Sequence, residues 1–138
     1  MQTLPDNCKQ CGLYQYSSCP HIQARGNFDN PSIILIGEAP GPDEAKQGKP
    51  FVGRAGKKLD SMLKDYGNIF YITNMVKCFP PLSTKNPEKG FRVPKDTEIE
   101  FCKSFLIKEI LEVSHIINPI LMPLGNVVLK GLIGEIRE

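Results

Sequence analysis

The chain has 138 residues, of which 41% are hydrophobic and 23% are charged, and its formal net charge is +2. This length and composition fit one domain of a soluble globular protein, and the small net charge does not by itself establish a nucleic-acid partner. The start lacks the apolar segment of a signal peptide and no apolar run is long enough to span a membrane, so we expect a cytoplasmic protein.

The first 31 residues are rich in turn formers and show little hydrophobic periodicity. We predict a segment that stays poorly anchored unless something ties it to the body of the domain. One helical turn is expected over Leu13–Tyr16. His21 has no partner at metal-ligand spacing and is predicted to be a surface or capping residue.

A short apolar run, Ile33 to Ile36, is too brief for a helix and rich in branched side chains. We predict a buried parallel strand over 33–37 that ends in a glycine-rich loop. Open α/β sheets bind their ligands beyond the carboxyl ends of such strands. The loop carries a carboxylate, an aromatic ring and basic residues, and a helix is expected to begin near Ala55, which indicates a pocket for a polar, nucleotide-like ligand.

The rest of the chain alternates between helical and strand patterns. The expected elements are a helix over 55–66, a strand over 69–73, an exposed loop over 82–94, a helix over 95–113, a proline-containing edge strand over 116–122 and a short helix around 127–133. The predicted buried stripes of the two long helices are Leu59, Met62, Leu63 and Tyr66, and Ile99, Cys102, Leu106, Ile110 and Val113. Together they predict a small three-layer α/β/α sandwich with about three parallel strands, in a single domain over 1–138.

Basic residues gather around the glycine-rich loop and the helix after it. Such a cluster is either a rim that holds phosphates or a solvated helix face. Its members are Lys46, Lys49, Arg54, Lys57, Lys58 and Lys64.

Five cysteines in a cytoplasmic chain favour metal or redox chemistry over structural disulfides. Cys8 and Cys11 form a Cys-x-x-Cys pair, Cys78 follows a predicted strand and Cys102 lies on a predicted helix. Four such thiolates suit a tetrahedral zinc ion or an iron–sulfur cluster. The alternative is a mobile terminal pair with two ordinary buried cysteines. Cys19 is the leftover and is expected to be a bystander.

Two long motifs resemble the iron–sulfur uracil-DNA glycosylases of the family 4 type. The first reads Gly-Glu-Ala-Pro-Gly at 37–41 and continues as Gly-Lys-Pro-Phe-Val-Gly-Arg-Ala-Gly at 48–56. The second reads Ile-Thr-Asn-Met-Val-Lys-Cys-Phe-Pro-Pro at 72–81. The pair Leu124-Gly125 also fits. The resemblance spans nearly the whole chain and implies a [4Fe–4S] cluster on four ligands, Cys8, Cys11, Cys78 and Cys102, with an N-terminal cluster-binding segment over 1–31.

The resemblance also implies an activity, namely removal of uracil that has left the DNA stack and entered a pocket. Phe51 would stack on the base and Asn74 would hydrogen-bond its polar edge. Backbone groups from Gly37 to Ala39 would read the carbonyls, and Glu38 or Glu44 would position water or favour an oxocarbenium-like sugar. The implied catalytic residues are therefore Glu38, Glu44 and Asn74, and the implied substrate-binding residues are Gly37, Glu38, Ala39, Phe51 and Asn74.

Two departures from the family pattern affect this interpretation. The segment between Cys78 and Cys102 is longer than usual, through an insertion around 86–92 that either contacts DNA or a partner or is surface length. The family also has a fourth strand with a His-Pro-Ser or His-Pro-Ala motif, which these residues do not contain, and His115 is not expected to replace it. That histidine would stabilise negative charge on the uracil oxygen.

Two functions therefore stay open. One is a DNA-repair glycosylase, completed by missing residues or a second chain. The other is a non-catalytic iron–sulfur module that binds DNA or a partner, associated with a replication enzyme. A zinc module of unrelated function is a third interpretation.

Overall fold

The structure is a computed structural model that describes residues 4–134. It is an α/β fold around a four-stranded sheet in the order β1-β3-β2-β4. The strands are β1 (Arg25–Gly26), β2 (Ile33–Gly37), β3 (Phe70–Asn74) and β4 (Ile120–Pro123). Strands β3 and β4 run parallel to β2, and β1 is antiparallel to β3.

The helices fall between these strands. They are α1 (Asp6–Cys11), α2 (Pro42–Gln47), α3 (Arg54–Leu63), α4 (Asp96–Val113) and α5 (Asn126–Ile133), and 3₁₀ turns span Leu13–Tyr16 and Pro87–Lys89. The α/β class, the parallel core of three strands and the turn at Leu13–Tyr16 are as predicted. In the described part of the chain, no helix is long and apolar enough to cross a membrane.

Four elements were not anticipated from sequence, namely α1, β1, α2 and the 3₁₀ turn over Pro87–Lys89, and the reasons are clearest for β1 and α2. Strand β1 has only two residues in a turn-rich segment, and its pairing with β3, Arg25 opposite Ile72, is a tertiary contact. Helix α2 buries only Ala45, so no apolar stripe announces it. Proline at its first turn and Gly48 in the left-handed region at its end give it ordinary helix boundaries.

The helix predicted over 55–66 is shorter than expected and less buried. It ends at Leu63, and Met62 and Tyr66 are both 63% exposed, so the predicted stripe is wrong at these two positions. Within α3 only Gly56 is fully buried. By contrast, α4 buries Ile99, Leu106 and Val113 as its periodicity predicts.

The last strand begins later than the sequence suggests. It starts at Ile120 rather than at residue 116, and it lies at a sheet edge as its prolines predict. The side-chain oxygen of Asn30 accepts hydrogen bonds from the backbone N–H groups of His115 and Ile116, at 2.9 and 2.8 Å. This capped turn holds the chain after α4 out of the sheet.

The predicted exposed loop over 82–94 is held closed by backbone contacts. Pro81 and Phe91 form an antiparallel bridge, and the Leu82 N–H donates to the Gly90 carbonyl at 3.0 Å. The proposed insertion around 86–92 therefore forms a closed turn beside the β3 end rather than a trailing loop.

Candidate functional site

The two central strands end side by side, which builds a small platform at their carboxyl ends. Gly37 on β2 is the register partner of Asn74 on β3. Just beyond, the Met75 N–H donates to the Gly37 carbonyl at 2.8 Å, and the Val76 N–H donates to the Glu38 carbonyl at 3.0 Å. These bonds fix the backbone of Gly37 and Glu38 where a ligand of an open α/β sheet would bind.

Phe51 and Asn74 converge on Gly37. A Cβ atom placed on Gly37 would collide with Oδ1 of Asn74 and with the tip of the Phe51 ring. Only glycine therefore lets the ring and the amide approach this backbone together. The structure thus brings together two side chains that sequence analysis assigned to one pocket from motifs more than twenty residues apart.

The backbone at Phe51 is unusual for an aromatic residue. Its φ is 53°, in the left-handed region, where a side chain costs about 1–3 kcal/mol and is often found at functional sites. Gly56, in the first turn of α3, packs against the Phe51 carbonyl so closely that a Cβ would collide with it. Glycine at position 56 thus lets the first turn of α3 approach the Phe51 peptide, whereas Gly53 lies against Asp43 and Glu44.

The two candidate carboxylates occupy different surroundings. Glu44 on α2 lies against Gly41 and Gly53, and its Oε2 atom is buried without a hydrogen-bond partner among residues 4–134. Glu38 is half-buried directly after β2, and neighbouring Ala39 packs against the core. The predicted basic residues around this loop are all exposed, namely Lys46, Lys49, Arg54, Lys57, Lys58 and Lys64.

A buried charge network that sequence analysis missed lies behind Asn74. Lys77 is only 3% exposed, and its ammonium group contacts Oε1 of Glu109 and donates to the Asn74 carbonyl at 2.6 Å. Glu109 also accepts hydrogen bonds from Tyr71 and Thr73, at 2.6 and 2.8 Å. Burial lowers the pKa of Lys77, and Glu109 opposes this shift. A lysine within a buried run was the available signal, but its partner on α4 had none.

The four predicted cysteine ligands line one cavity. Cys8 and Cys11 reach it from α1, Cys78 from the segment after β3 and Cys102 from α4. Burial and the nearby thiols raise the pKa of Cys78 to about 11, and burial is also the main cause that raises the pKa of Cys102 to about 12. Four deprotonated thiols packed here would need a strong positive centre among them.

Two backbone N–H groups already point at the sulfur atoms of this cavity. The His21 N–H donates to Sγ of Cys78 at 3.2 Å, and the Lys77 N–H donates to Sγ of Cys102 at 3.3 Å. Hydrogen bonds to ligand sulfurs are a regular feature of iron–sulfur sites. Across residues 4–134, however, no three His, Cys, Asp or Glu side chains stand ready in the geometry of a metal site.

His21 is not the simple surface residue that we predicted. It is half-buried, lines the cysteine cavity and packs edge-on against Phe105, with ring centroids 4.8 Å apart. Cys19 lies away from the cavity, against Gly48 at the end of α2, and its thiol faces the Lys46 carbonyl at 3.7 Å. Its placement agrees with the role of bystander.

The chain is similar to known uracil-DNA glycosylases. A family model described as the uracil DNA glycosylase superfamily matches residues 24–137. The chain is 35% identical over 137 residues to the type-4 uracil-DNA glycosylase of Sulfurisphaera tokodaii, which covers 96% of this chain and 56% of that protein. It is 36% identical over 107 residues to the enzyme of the same name from Archaeoglobus fulgidus, covering 75% and 49%.

A third relative, the type-4 uracil-DNA glycosylase of Thermotoga maritima, is 35% identical over 141 residues, covering 94% of this chain and 64% of the relative. The chain therefore spans little more than half the length of the curated relatives it matches. The two motifs that carried the resemblance both lie inside the matched residues. The chain belongs to the uracil DNA glycosylase superfamily.

Proposed function

We propose that the chain is a uracil-DNA glycosylase-like DNA-repair protein that takes uracil out of the DNA stack and hydrolyses its N-glycosidic bond. The observation that carries this proposal is the convergence of Phe51 and Asn74 on Gly37. An aromatic face and a buried amide at the end of a parallel sheet suit a flat base with a polar edge. The relatives of about 35% identity, which are named for this activity, support the same assignment.

The residues divide the work by chemistry. The ring of Phe51 stacks on the base, and Asn74, at 6% exposure, hydrogen-bonds its polar edge. Its amide both donates and accepts, which matches the alternating groups on uracil. Backbone groups from Gly37 to Ala39 would read a base carbonyl, and a donor there would stabilise charge on the leaving base.

The two carboxylates, Glu38 and Glu44, are the groups that would act on the water molecule or on the sugar. Glu44 would hold a water molecule or favour positive charge on the sugar, and its buried Oε2, which has no partner in the described part of the chain, supports this role. Glu38, half-buried directly after β2, is the second carboxylate that we propose for this step. In the hydrolysis, the water oxygen forms the new bond to the sugar C1′, the N-glycosidic bond breaks and the base leaves with its electron pair as an anion, and the proton lost by the water passes through a carboxylate or solvent to that anion.

The four cysteines suit a [4Fe–4S] cluster as the bound cofactor. Cys8, Cys11, Cys78 and Cys102 share one cavity, and two of their sulfurs already accept backbone N–H groups. When bound, the cluster ties the N-terminal segment to the segment after β3 and to α4. Serine at any of these four positions should lower iron and acid-labile sulfide content, whereas Cys19→Ser should leave both unchanged.

The deciding experiment measures uracil release from a single-stranded oligonucleotide by the full 138-residue chain. Thymine at the same position is the substrate control. Asn74→Ala should lower release by about a hundredfold or more, since it removes a donor at the reacting base. Asn68→Ala, an exposed asparagine at the other end of β3, is the matched control and should release uracil as the wild-type chain does.

The second candidate function is a non-catalytic module that binds DNA or a partner chain. It is favoured by the apolar side chains that β4 exposes, Ile120 at 63% and Leu121 at 41%. Uracil-selective binding without release would establish this function in place of the enzyme. A second chain or a replication enzyme as the partner stays a prediction.

A further inference from the structure

Arg25 makes contacts that neither the motifs nor the proposed reaction account for. Its guanidinium donates from Nε to the Pro50 carbonyl at 3.1 Å and from Nη2 to the Phe51 carbonyl at 3.3 Å. The same Nη2 atom is 2.7 Å from Oδ1 of Asp60 on α3. One planar group therefore joins two carbonyls of the Phe51 loop to the helix that follows it, which suits the fixed fork of arginine.

These contacts act on the strained peptide of the site. Phe51 has a positive φ, and such a conformation persists only where its surroundings over-determine it. Gly56 presses on the Phe51 carbonyl from the first turn of α3, and Arg25 holds the same carbonyl by a hydrogen bond. The Phe51 backbone is thus held from two directions.

Gly56 and Arg25 together form a clamp on the Phe51 carbonyl, and the sheet connects this clamp to Asn74. Arg25 lies in β1 opposite Ile72 of β3, and Asn74 ends that same strand two residues later. Arg25 and the pairing of β1 with β3 therefore link the position of the Phe51 peptide to that of Asn74. The two-residue strand β1 thus positions Arg25 beside the Phe51 loop.

We infer that Arg25, oriented by Asp60, is a positioning residue that sets the Phe51 ring over Gly37 and so sharpens the choice of uracil over thymine. This inference rests on the proposed function for its substrate. Arg25 contacts the two loop carbonyls and Asp60, so it would act on the base through Phe51. A small displacement of a positioned group costs on the order of a hundredfold in such sites.

The test compares affinity for single-stranded oligonucleotides that contain one uracil or one thymine, using the full chain. In Arg25→Met the uracil-over-thymine affinity ratio should fall by about tenfold or more, and Asp60→Asn should lower it less. Arg25→Lys should restore part of the ratio, since an ammonium reaches one of the three oxygens but cannot bridge them. Arg54→Met, an exposed arginine at the start of α3, should weaken binding of both oligonucleotides alike.

A second measurement separates this inference from the proposed function. Backbone chemical shifts and the amide coupling of Phe51 report its φ without any DNA. The φ of Phe51 should leave the left-handed region in Arg25→Met and should remain there in Arg54→Met. An unchanged Phe51 backbone in Arg25→Met, or an unchanged ratio in a chain that prefers uracil, overturns the inference. A wild-type chain with no preference for uracil overturns the proposed function instead. In that case the chemical shifts of Phe51 still show whether Arg25 holds its backbone.

Discussion

Strands β3 and β4 flank the same central strand, yet they live in opposite surroundings. Tyr71 and Ile72 of β3 are 3% and 4% exposed, whereas Ile120 and Leu121 of β4 are 63% and 41% exposed. Both strands are apolar and both run parallel to β2. Strand β3 is paired on both edges and bonded to α4 through Glu109, whereas β4 pairs on one edge among the described residues. Neighbours, not composition, decide burial.

The comparison bears on the candidate site because β3 carries it. Asn74 ends the covered strand, and the Lys77 ammonium donates to its carbonyl from below. Parallel sheets are normally covered on both faces, and β3 follows this rule whereas β4 does not among the described residues. Changes on the β3 side should therefore cost stability, and equivalent changes on the β4 side should not.

The largest expected effect comes from breaking the buried pair behind β3. Lys77→Met leaves Glu109 charged and without its ammonium, which should lower the free energy of unfolding by about 3–5 kcal/mol. Urea denaturation followed by circular dichroism measures this change. Lys108→Met removes the exposed partner of Glu112, a pair 3.9 Å apart, and should cost no more than about 0.5 kcal/mol. Equal costs for the two variants would contradict the buried network.

A matched pair of truncations compares the central strand with β4 directly. Ile34 is 0% exposed, and Ile34→Ala should lower the free energy of unfolding by about 2–5 kcal/mol because a buried cavity remains. Ile120→Ala, at a largely exposed position one register step away, should cost under about 1 kcal/mol. The same denaturation series measures both. A large loss at Ile120 would show that β4 is covered in solution, and would remove the contrast.

The smallest effect concerns the start of α4, the helix bonded to β3. Burial alone would raise the pKa of Glu98, but the Arg92 guanidinium and the Lys95 N–H more than offset it, so the pKa lies below its ordinary value of 4.5. A lowered pKa in the folded state means that this stabilisation is complete above the unfolded pKa. It is lost as the pH falls through the folded value.

As the pH is lowered, the free energy of unfolding should therefore decrease more in the wild-type chain than in Glu98→Gln. The difference between the two decreases should be on the order of 1 kcal/mol. Denaturation at a series of pH values from neutral to below 4 measures the difference. Glu100→Gln, an exposed neighbour on α4, is the control and should follow the wild-type curve. Parallel curves for Glu98→Gln and the wild-type chain would argue against the Arg92–Glu98 pair.

Local patterns predicted much of this fold. The apolar run from Ile33 gave strand bounds that match the structure, and the 3.6-residue period of α4 gave the stripe that includes Leu106. Two motifs brought Phe51 and Asn74 into one site before any contact was known. Side chains spaced along one element share its periodicity, so their burial leaves a trace in the sequence.

Sequence by itself determined the order of helices and strands, the superfamily, the four candidate cysteine ligands and the candidate carboxylates. These depend on residue types at short spacing. Tertiary structure alone decided the partners. Glu109 reaches Lys77 from α4, and Arg25 reaches Phe51 from a two-residue strand that no period announces. Contacts between residues far apart in the chain have no local signature, since each depends on how whole elements pack. For the same reason, only the packed sheet reveals that β3 is covered and β4 is open.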